Sequence, residues 1–229
     1  MQLPQHVPGR ALPGGASAAE PPGWGTRAGL AALAATVALG VSIMLSGLQD
    51  PEGPPQPPGA ERAAAGPGGA GAERAADPLP PAVPTWVSIP AIDVEAPLTG
   101  VGLEPGGWVA APPEQIQNLA GWYKGAVTPG ARGTAVVVGH VDNASGPAVF
   151  YGLGALERGD FVEVTREDGR TVRFTVYDLA VFDRDSLPQH VYRDTGQSEL
   201  RLITCGGSYR SDSGYQDNVV VFARMTDAP

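Results

Sequence analysis

Cys205 is the only cysteine in a chain of 229 residues, and it closes the β-favouring run Glu199-Leu200-Arg201-Leu202-Ile203-Thr204 directly before Gly206-Gly207. An isolated cysteine in a strand is ordinarily an inert small hydrophobe. Its position at the end of an apolar run argues for more, because a side chain at a strand mouth is open to a substrate and the glycines let another backbone come close. A second exit of the same kind lies at His140, which follows Thr134-Ala135-Val136-Val137-Val138-Gly139. A lone histidine at a strand end is most often structural or solvated. The two together are worth more than either alone. A thiol with the ordinary pKa of about 8.5 is only a few per cent thiolate at neutral pH, so a nucleophilic cysteine needs a histidine to raise that fraction or to exchange protons. Cys205 with His140 is therefore the minimum set for acyl transfer through a thioester, with an oxyanion donor still to be found. If the two titrate as a coupled pair, the rate has a bell-shaped pH profile.

Such residues need strands to carry them. From about Pro84 to Pro229, short runs rich in Val, Thr, Phe and Tyr alternate with Gly, Pro and Asp punctuation, the pattern of an all-β sandwich or barrel. The pattern predicts strands over 85–90, 96–101, 134–141, 160–166, 171–182, 199–205 and 218–225. Asp168-Gly169 between two of these runs is a hairpin signal. Residues 148–156 and 186–191 read as short helical turns. Val136–Val138 and Val219–Val221 are continuous rather than alternating, which predicts central strands buried on both faces. Trp86, Trp108 and Trp122 read as core or rim packing, and His190 as a surface residue. A stretch of about 146 residues can bury a real core, so 84–229 is one domain.

The chain before it is of another kind. Residues 1–28 mix Pro, Gly and Ala with few apolar side chains and read as a disordered tail. Gly29 to Leu48 is an uncharged apolar run of about 20 residues, enough to cross a hydrocarbon core of roughly 30 Å as a helix. A cleaved signal peptide has a shorter apolar region and a small-x-small exit, whereas this run leaves through Ser46-Gly47-Leu48-Gln49 without one, so a retained anchor is expected. Arg10 and Arg27 precede the run, which places the amino terminus in the cytoplasm and the remainder outside. Residues 49–83 are a Pro/Gly/Ala tract without periodicity, expected to act as a partly stiff tether.

Composition narrows the function classes. A formal net charge of -9, with no basic cluster, excludes a nucleic-acid surface. One cysteine makes no internal disulfide. The remaining soft ligands, His6, His140 and His190, lack metal-ligand spacing, so no metal is expected.

Two stretches carry a family resemblance. Leu202-Ile203-Thr204-Cys205-Gly206-Gly207 resembles the Thr-Leu-x-Thr-Cys signature of sortases, and Gly139-His140-Val141-Asp142 resembles their catalytic histidine segment. The longer strings 139–160 and 205–225 are most similar to the class F sortases of actinobacteria. The resemblance implies a mainly β fold, a closed eight-stranded sortase-type barrel with short helices, preceded by one transmembrane helix and a disordered linker. It implies cysteine transpeptidation without a cofactor: cleavage of a Leu-Pro-x-Thr-Gly-like sorting signal on secreted proteins and transfer of the acyl group to a cell-wall or protein amine. Cys205 becomes the nucleophile and His140 its proton-transfer partner. Thr204 of the signature and Asp142, two residues beyond His140, are supporting residues.

One family feature is missing. Sortases place an arginine on the strand after the cysteine to hold substrate and steady the oxyanion, and Asn218 stands there in this chain. Losing one oxyanion donor costs on the order of 3–4 kcal/mol, so another group is expected to serve. Arg210 in the glycine-rich stretch and Asn218 itself are the first candidates. Arg201 is the next, on the Cys205 face but about 13 Å back along the strand. A barrel that has lost its chemistry and only binds, and a peptidase that hands the acyl group to water, are the alternatives.

Overall fold

The computed structural model describes residues 53–57, 75–212 and 214–228. The strands are β1 (Pro84–Ile89), β2 (Val94–Val101), β3 (Ala120–Tyr123), β4 (Gly133–Gly139), β5 (Asp142–Asn143), β6 (Gly146–Pro147), β7 (Phe161–Arg166), β8 (Thr171–Asp183), β9 (Ser198–Arg210) and β10 (Gly214–Asp227). Eight of them close a barrel in the order β1-β2-β3-β4-β9-β10-β8-β7, and β5 with β6 forms a separate two-stranded ribbon. Single 3₁₀ turns occupy Pro90–Ile92, Leu153–Ala155 and Gln189–Tyr192, the second inside and the third overlapping the segments predicted to be helical.

Sequence pattern explains the layering. In β7 the alternation of Phe161-Val162-Glu163-Val164-Thr165-Arg166 buries every second residue. Gly169, at φ 81°, turns the chain into β8, with the Arg166 amide donating to the Arg170 carbonyl at 2.9 Å. β4 is different, since all seven of its residues are buried. Its Ala135 and Val137 join the barrel interior with Leu200, Leu202, Val221 and Ala223. Its Val136 and Val138 face the other way, into a second apolar cluster with Phe182, Val191, Ile203, Val220 and Phe222. This outer cluster is the floor on which the residues with chemistry stand.

The structure departs from the sequence reading in several places. β3 was not anticipated. β4 ends at Gly139, so His140 and Val141 lie beyond the strand. β9 does not stop at Cys205 but runs on to Arg210 and pairs with β10 as a long hairpin. Parts of the tether pack against the barrel: Ala76 donates to the Met225 carbonyl at 3.0 Å and Leu79 to Gly130 at 2.8 Å, while Ala76 and Leu79 cover core residues. Trp122 is buried, whereas Trp86 and Trp108 are each 40% exposed at the rim. No helix among the described residues is long and apolar enough to cross a membrane, and the Gly29–Leu48 run lies outside the described residues.

Candidate active site

β4 and β9 run parallel, with Val136 opposite Arg201 and Val138 opposite Ile203. Two residues further along each chain stand His140, just past the end of β4, and Cys205, still within β9, at about the same level. The level is pinned by a side chain: buried Thr204 donates its Oγ1 hydrogen to the Gly139 carbonyl at 2.8 Å. That bond joins the residue before the cysteine to the residue before the histidine. Gly139 is required for packing, because a Cβ there would overlap the Phe150 ring and Val149.

The segment after His140 returns on itself. The Phe150 amide donates to the His140 carbonyl at 3.0 Å and the Ala148 amide to Val141 at 2.9 Å, while Phe150 is fully buried. The half-buried imidazole places Nε2 2.7 Å from the Pro112 carbonyl. A carbonyl only accepts, so Nε2 carries a proton and Nδ1 is the ring nitrogen left to exchange one with a thiol.

Cys205 is solvent-exposed as a residue. Burial nevertheless desolvates its sulfur and pushes the thiol pKa up, with the Arg184 charge pulling it down and the Asp142 charge adding to the rise. The resting sulfur is therefore a thiol, and its proton must leave during attack. Asp142 accepts a 2.5 Å hydrogen bond from the Tyr215 hydroxyl, and Tyr215 stacks edge-on with Tyr209 at 5.2 Å. Burial first, then this bond to Asp142, raises the Tyr215 pKa, so the phenol remains a donor.

The arginine candidates separate clearly. Arg201 is 1% exposed and gives its donors to Glu199 at 2.6 Å, the Val191 carbonyl at 3.1 Å and the Leu200 carbonyl at 3.2 Å. Its guanidinium also sits 4.6 Å over the Phe222 ring. Arg224 adds a second cation to Glu199 at 3.1 Å. Burial pushes the Glu199 carboxyl up, but the two arginines outweigh it and hold its pKa below the usual value. Arg201 is thus committed to the outer cluster. Arg210 is exposed at the far end of β9, opposite Gly214. Asn218 pairs in register with Cys205, and its Nδ2 donates to the Arg184 carbonyl at 3.0 Å. Of the predicted residues, the structure gathers Cys205, His140, Thr204, Asp142 and Asn218 in one region and leaves Arg201 and Arg210 outside it.

Three neighbours escaped the sequence reading. Arg184 follows β8, and its carbonyl accepts from Asn218, the residue in register with Cys205. Tyr215 is bound to Asp142. Gln56 of the tether accepts a hydrogen bond from the Gly207 amide at 3.1 Å, with Pro54 and Pro57 buried on either side of it. Pro55 presses its carbonyl on Gly154 so closely that a Cβ there would overlap it. Gly207 is not simply open space for a substrate: at φ 75° it turns the strand, and a Cβ there would overlap the Asp217 carboxylate. His190, expected at the surface, is half-buried with its ring edge-on to Phe182 at 5.7 Å. Among the described residues no group of three potential metal ligands occurs.

The barrel brings one thiol, on β9, and one imidazole, just past β4, to the same end of a parallel pair, the minimum set for acyl transfer through a thioester, and comparison with known proteins gives the family. Residues 87–226 match the sortase domain. This chain belongs to the sortase family. Sortases are cysteine transpeptidases, so membership implies that activity, with sorting-signal substrates and amine acceptors. The fold is similar to sortase C-1 from Actinomyces oris (TM-score 0.50, 21% identity, 62% of this chain and 73% of that one). It is also similar to a lid mutant of sortase A from Corynebacterium diphtheriae (0.51, 21%, 63% and 70%) and to sortase A from Listeria monocytogenes (0.50, 16%, 64% and 89%). No curated protein matches the chain.

Proposed function

We propose that this chain is a membrane-anchored sortase of the class F type, which cleaves a Leu-Pro-x-Thr-Gly-like signal and joins the carrier protein to a cell-wall amine. The observation that carries this reading is the placement of His140, just past the end of β4, beside Cys205 on the parallel neighbour β9, inside a domain that matches the family. Residues 29–48 anchor the chain with its amino terminus in the cytoplasm, and 49–83 span the gap to a catalytic domain on the outer side. The apolar run, its preceding arginines and the proline-rich tract support that arrangement.

In the first half-reaction the Cys205 sulfur bonds to the threonine carbonyl carbon as its proton passes to His140 Nδ1. The carbonyl π pair moves onto oxygen, then returns and expels the glycine nitrogen, which takes the proton from His140. In the second, an amine attacks the thioester, gives its proton to His140 and releases Cys205 as a thiol. The neutral resting thiol suits this order, because the charge pair forms only when substrate is present.

A quenched Leu-Pro-Ala-Thr-Gly peptide incubated with the full chain and triglycine tests the reading. Cleavage with formation of the triglycine adduct is expected, and none with Cys205→Ala. Full turnover by Cys205→Ala contradicts it, and release of free acid alone at saturating triglycine identifies a hydrolase instead.

A further inference from the structure

The outer apolar cluster has Cys205 at one end and an open cavity toward the other. Cys205 shares its side of β9 with Ile203, which belongs to that cluster together with Val136 of β4. Thr134 pairs with Glu199 and Val136 with Arg201, six and four residues before Cys205, and so about 20 and 13 Å from it at strand rise. Beside Thr134 and Val136 opens a cavity of about 420 Å³, walled by Trp108, Tyr123, Tyr192 and Asp194, within the roughly 300–1,000 Å³ of small-ligand pockets. Neither the thioester chemistry nor the proton transfer uses any of these residues.

The aromatic walls come from three elements, and each is fixed. Trp108 stands in a tight hairpin, where the Glu104 amide donates to the Trp108 carbonyl at 2.8 Å and Leu103 pairs with Val109. The Tyr123 ring, from the end of β3, lies on Gly125, where a Cβ would overlap it. Tyr192 ends the 3₁₀ turn Gln189–Tyr192, and buried Thr134 donates its Oγ1 hydrogen to the next carbonyl, that of Arg193, at 2.7 Å. Leu103, Trp108 and Tyr192, at 52%, 40% and 37% exposed, gather round this one cavity, whereas exposed apolar residues of no consequence are scattered singly. Asp194 is the one charged side chain in the lining, and no lysine or arginine among the described residues lines it. The Asp194 Oδ1 accepts the Gly196 amide at 2.7 Å, which fixes the carboxylate. Arg193, between Tyr192 and Asp194, has extended backbone, so its side chain projects to the opposite side from theirs. Lys124 and Arg132 line a separate cavity beside Trp122.

We propose that this cavity holds the side chain of a lysine or arginine of the carrier protein, one to three residues before the leucine of the sorting signal. The inference rests on the sortase reading. Aromatic faces carry negative potential and attract a cation, the Asp194 carboxylate supplies the counter-charge, and the methylene stem of the entering side chain suits the apolar walls. Length selects the position. With the threonine carbonyl at Cys205, an extended peptide rising about 3.3 Å per residue reaches the levels of Val136 and Thr134 with its fourth to sixth residue counted back from that threonine. Those are the three residues preceding the leucine. The upstream flank is also the part that stays on the enzyme as the thioester, so a contact there serves both half-reactions, whereas a downstream contact leaves with the glycine fragment. The formal net charge of -9 on the chain draws a cationic flank toward it.

The test uses the full chain, triglycine and two quenched peptides that differ at the second residue before Leu-Pro-Ala-Thr-Gly, one carrying lysine there and the other norleucine. Lysine is expected to raise kcat/KM about three- to 30-fold, chiefly through KM, the range for a cation held on aromatic faces. The ratio should shrink toward one in Trp108→Ala and in Asp194→Asn, with kcat on the norleucine peptide unchanged and thermal unfolding unaltered, since both side chains are exposed. Equal kcat/KM for the two peptides in wild type overturns the proposal. A lysine preference that survives Trp108→Ala, or one that appears only with the lysine placed after the glycine, overturns it as well. Fluorescence anisotropy of the two labelled peptides on the full-length Cys205→Ala chain gives a second readout that requires no turnover: lysine must lower Kd by the same factor. A wild type that cleaves neither peptide, beside a Cys205→Ala chain that binds the lysine peptide more tightly, would overturn the sortase reading alone, whereas equal Kd values would overturn the role of the cavity.

Discussion

Thr204→Val removes one hydrogen-bond donor and leaves the shape of the side chain almost intact. Thr204 is 4% exposed and its hydroxyl reaches the Gly139 carbonyl at 2.8 Å. Without it a buried carbonyl loses a partner that the apolar surroundings cannot replace, which costs about 1–3 kcal/mol. For a domain of this size that is roughly 2–4 °C in Tm per kcal/mol, so a fall of about 2–12 °C is expected by calorimetry. The catalytic effect has a separate origin. The bond ties the residue before Cys205 to the residue before His140, and a displacement of about 1 Å between reacting groups can cost on the order of 100-fold in rate. Single-turnover kinetics with the quenched peptide should show acylation slowed about ten- to 100-fold with little change in KM. Thr204→Ser, which keeps the hydroxyl, should restore the rate. A Thr204→Val enzyme that melts earlier but acylates at the wild-type rate would refute the positioning argument and leave the bond a purely structural one.

Three further outcomes follow from the same geometry. Because burial raises the Cys205 pKa and Asp142 adds to the rise, alkylation should be half-maximal above the ordinary thiol midpoint of about 8.5, and Asp142→Asn should move that midpoint down. Glu199 has a lowered pKa in the fold, so its contribution to stability is present above the unfolded carboxyl pKa and is lost as pH falls through the folded one. Glu199→Gln should abolish that acid dependence and, by leaving Arg201 buried without its partner, cost about 3–5 kcal/mol in urea unfolding at neutral pH. Gln56→Ala removes the acceptor from the Gly207 amide, so bulky maleimides should label Cys205 faster than in wild type, while small methanethiosulfonates should show little difference.

Much of this was legible in the sequence, for reasons that are local. The Val runs of β4 and β10 are β-branched and long, so their burial on both faces follows from composition, and the end of β4 before His140 follows from Gly139, whereas the exit expected at Cys205 does not occur because β9 runs on to Arg210. What escaped depends on partners distant in sequence. β3 is four residues, Ala120-Gly121-Trp122-Tyr123, without alternation, and it exists because β2 pairs with it in parallel and β4 antiparallel. β9 continues through Gly206-Gly207-Ser208 because β10 supplies its ladder, which outweighs the weak strand preference of glycine. Arg184 lies 21 residues before Cys205, and only the pairing of β8 and β9 with β10 brings the two into one neighbourhood. The tether contacts at Gln56 and Pro55 had no signal in composition, since proline-rich segments read as solvated spacers.

The account stands most directly on a covalent bond between Cys205 and the threonine carbonyl of a sorting peptide. Intact-mass spectrometry of the full chain, quenched in acid after incubation with Leu-Pro-Ala-Thr-Gly peptide and no amine, should show a protein adduct equal to the acyl fragment ending in threonine. The adduct should map to Cys205, disappear with hydroxylamine and with added triglycine, and be absent in Cys205→Ala. A chain that cleaves the peptide without such an adduct, or forms one at another residue, would contradict the account.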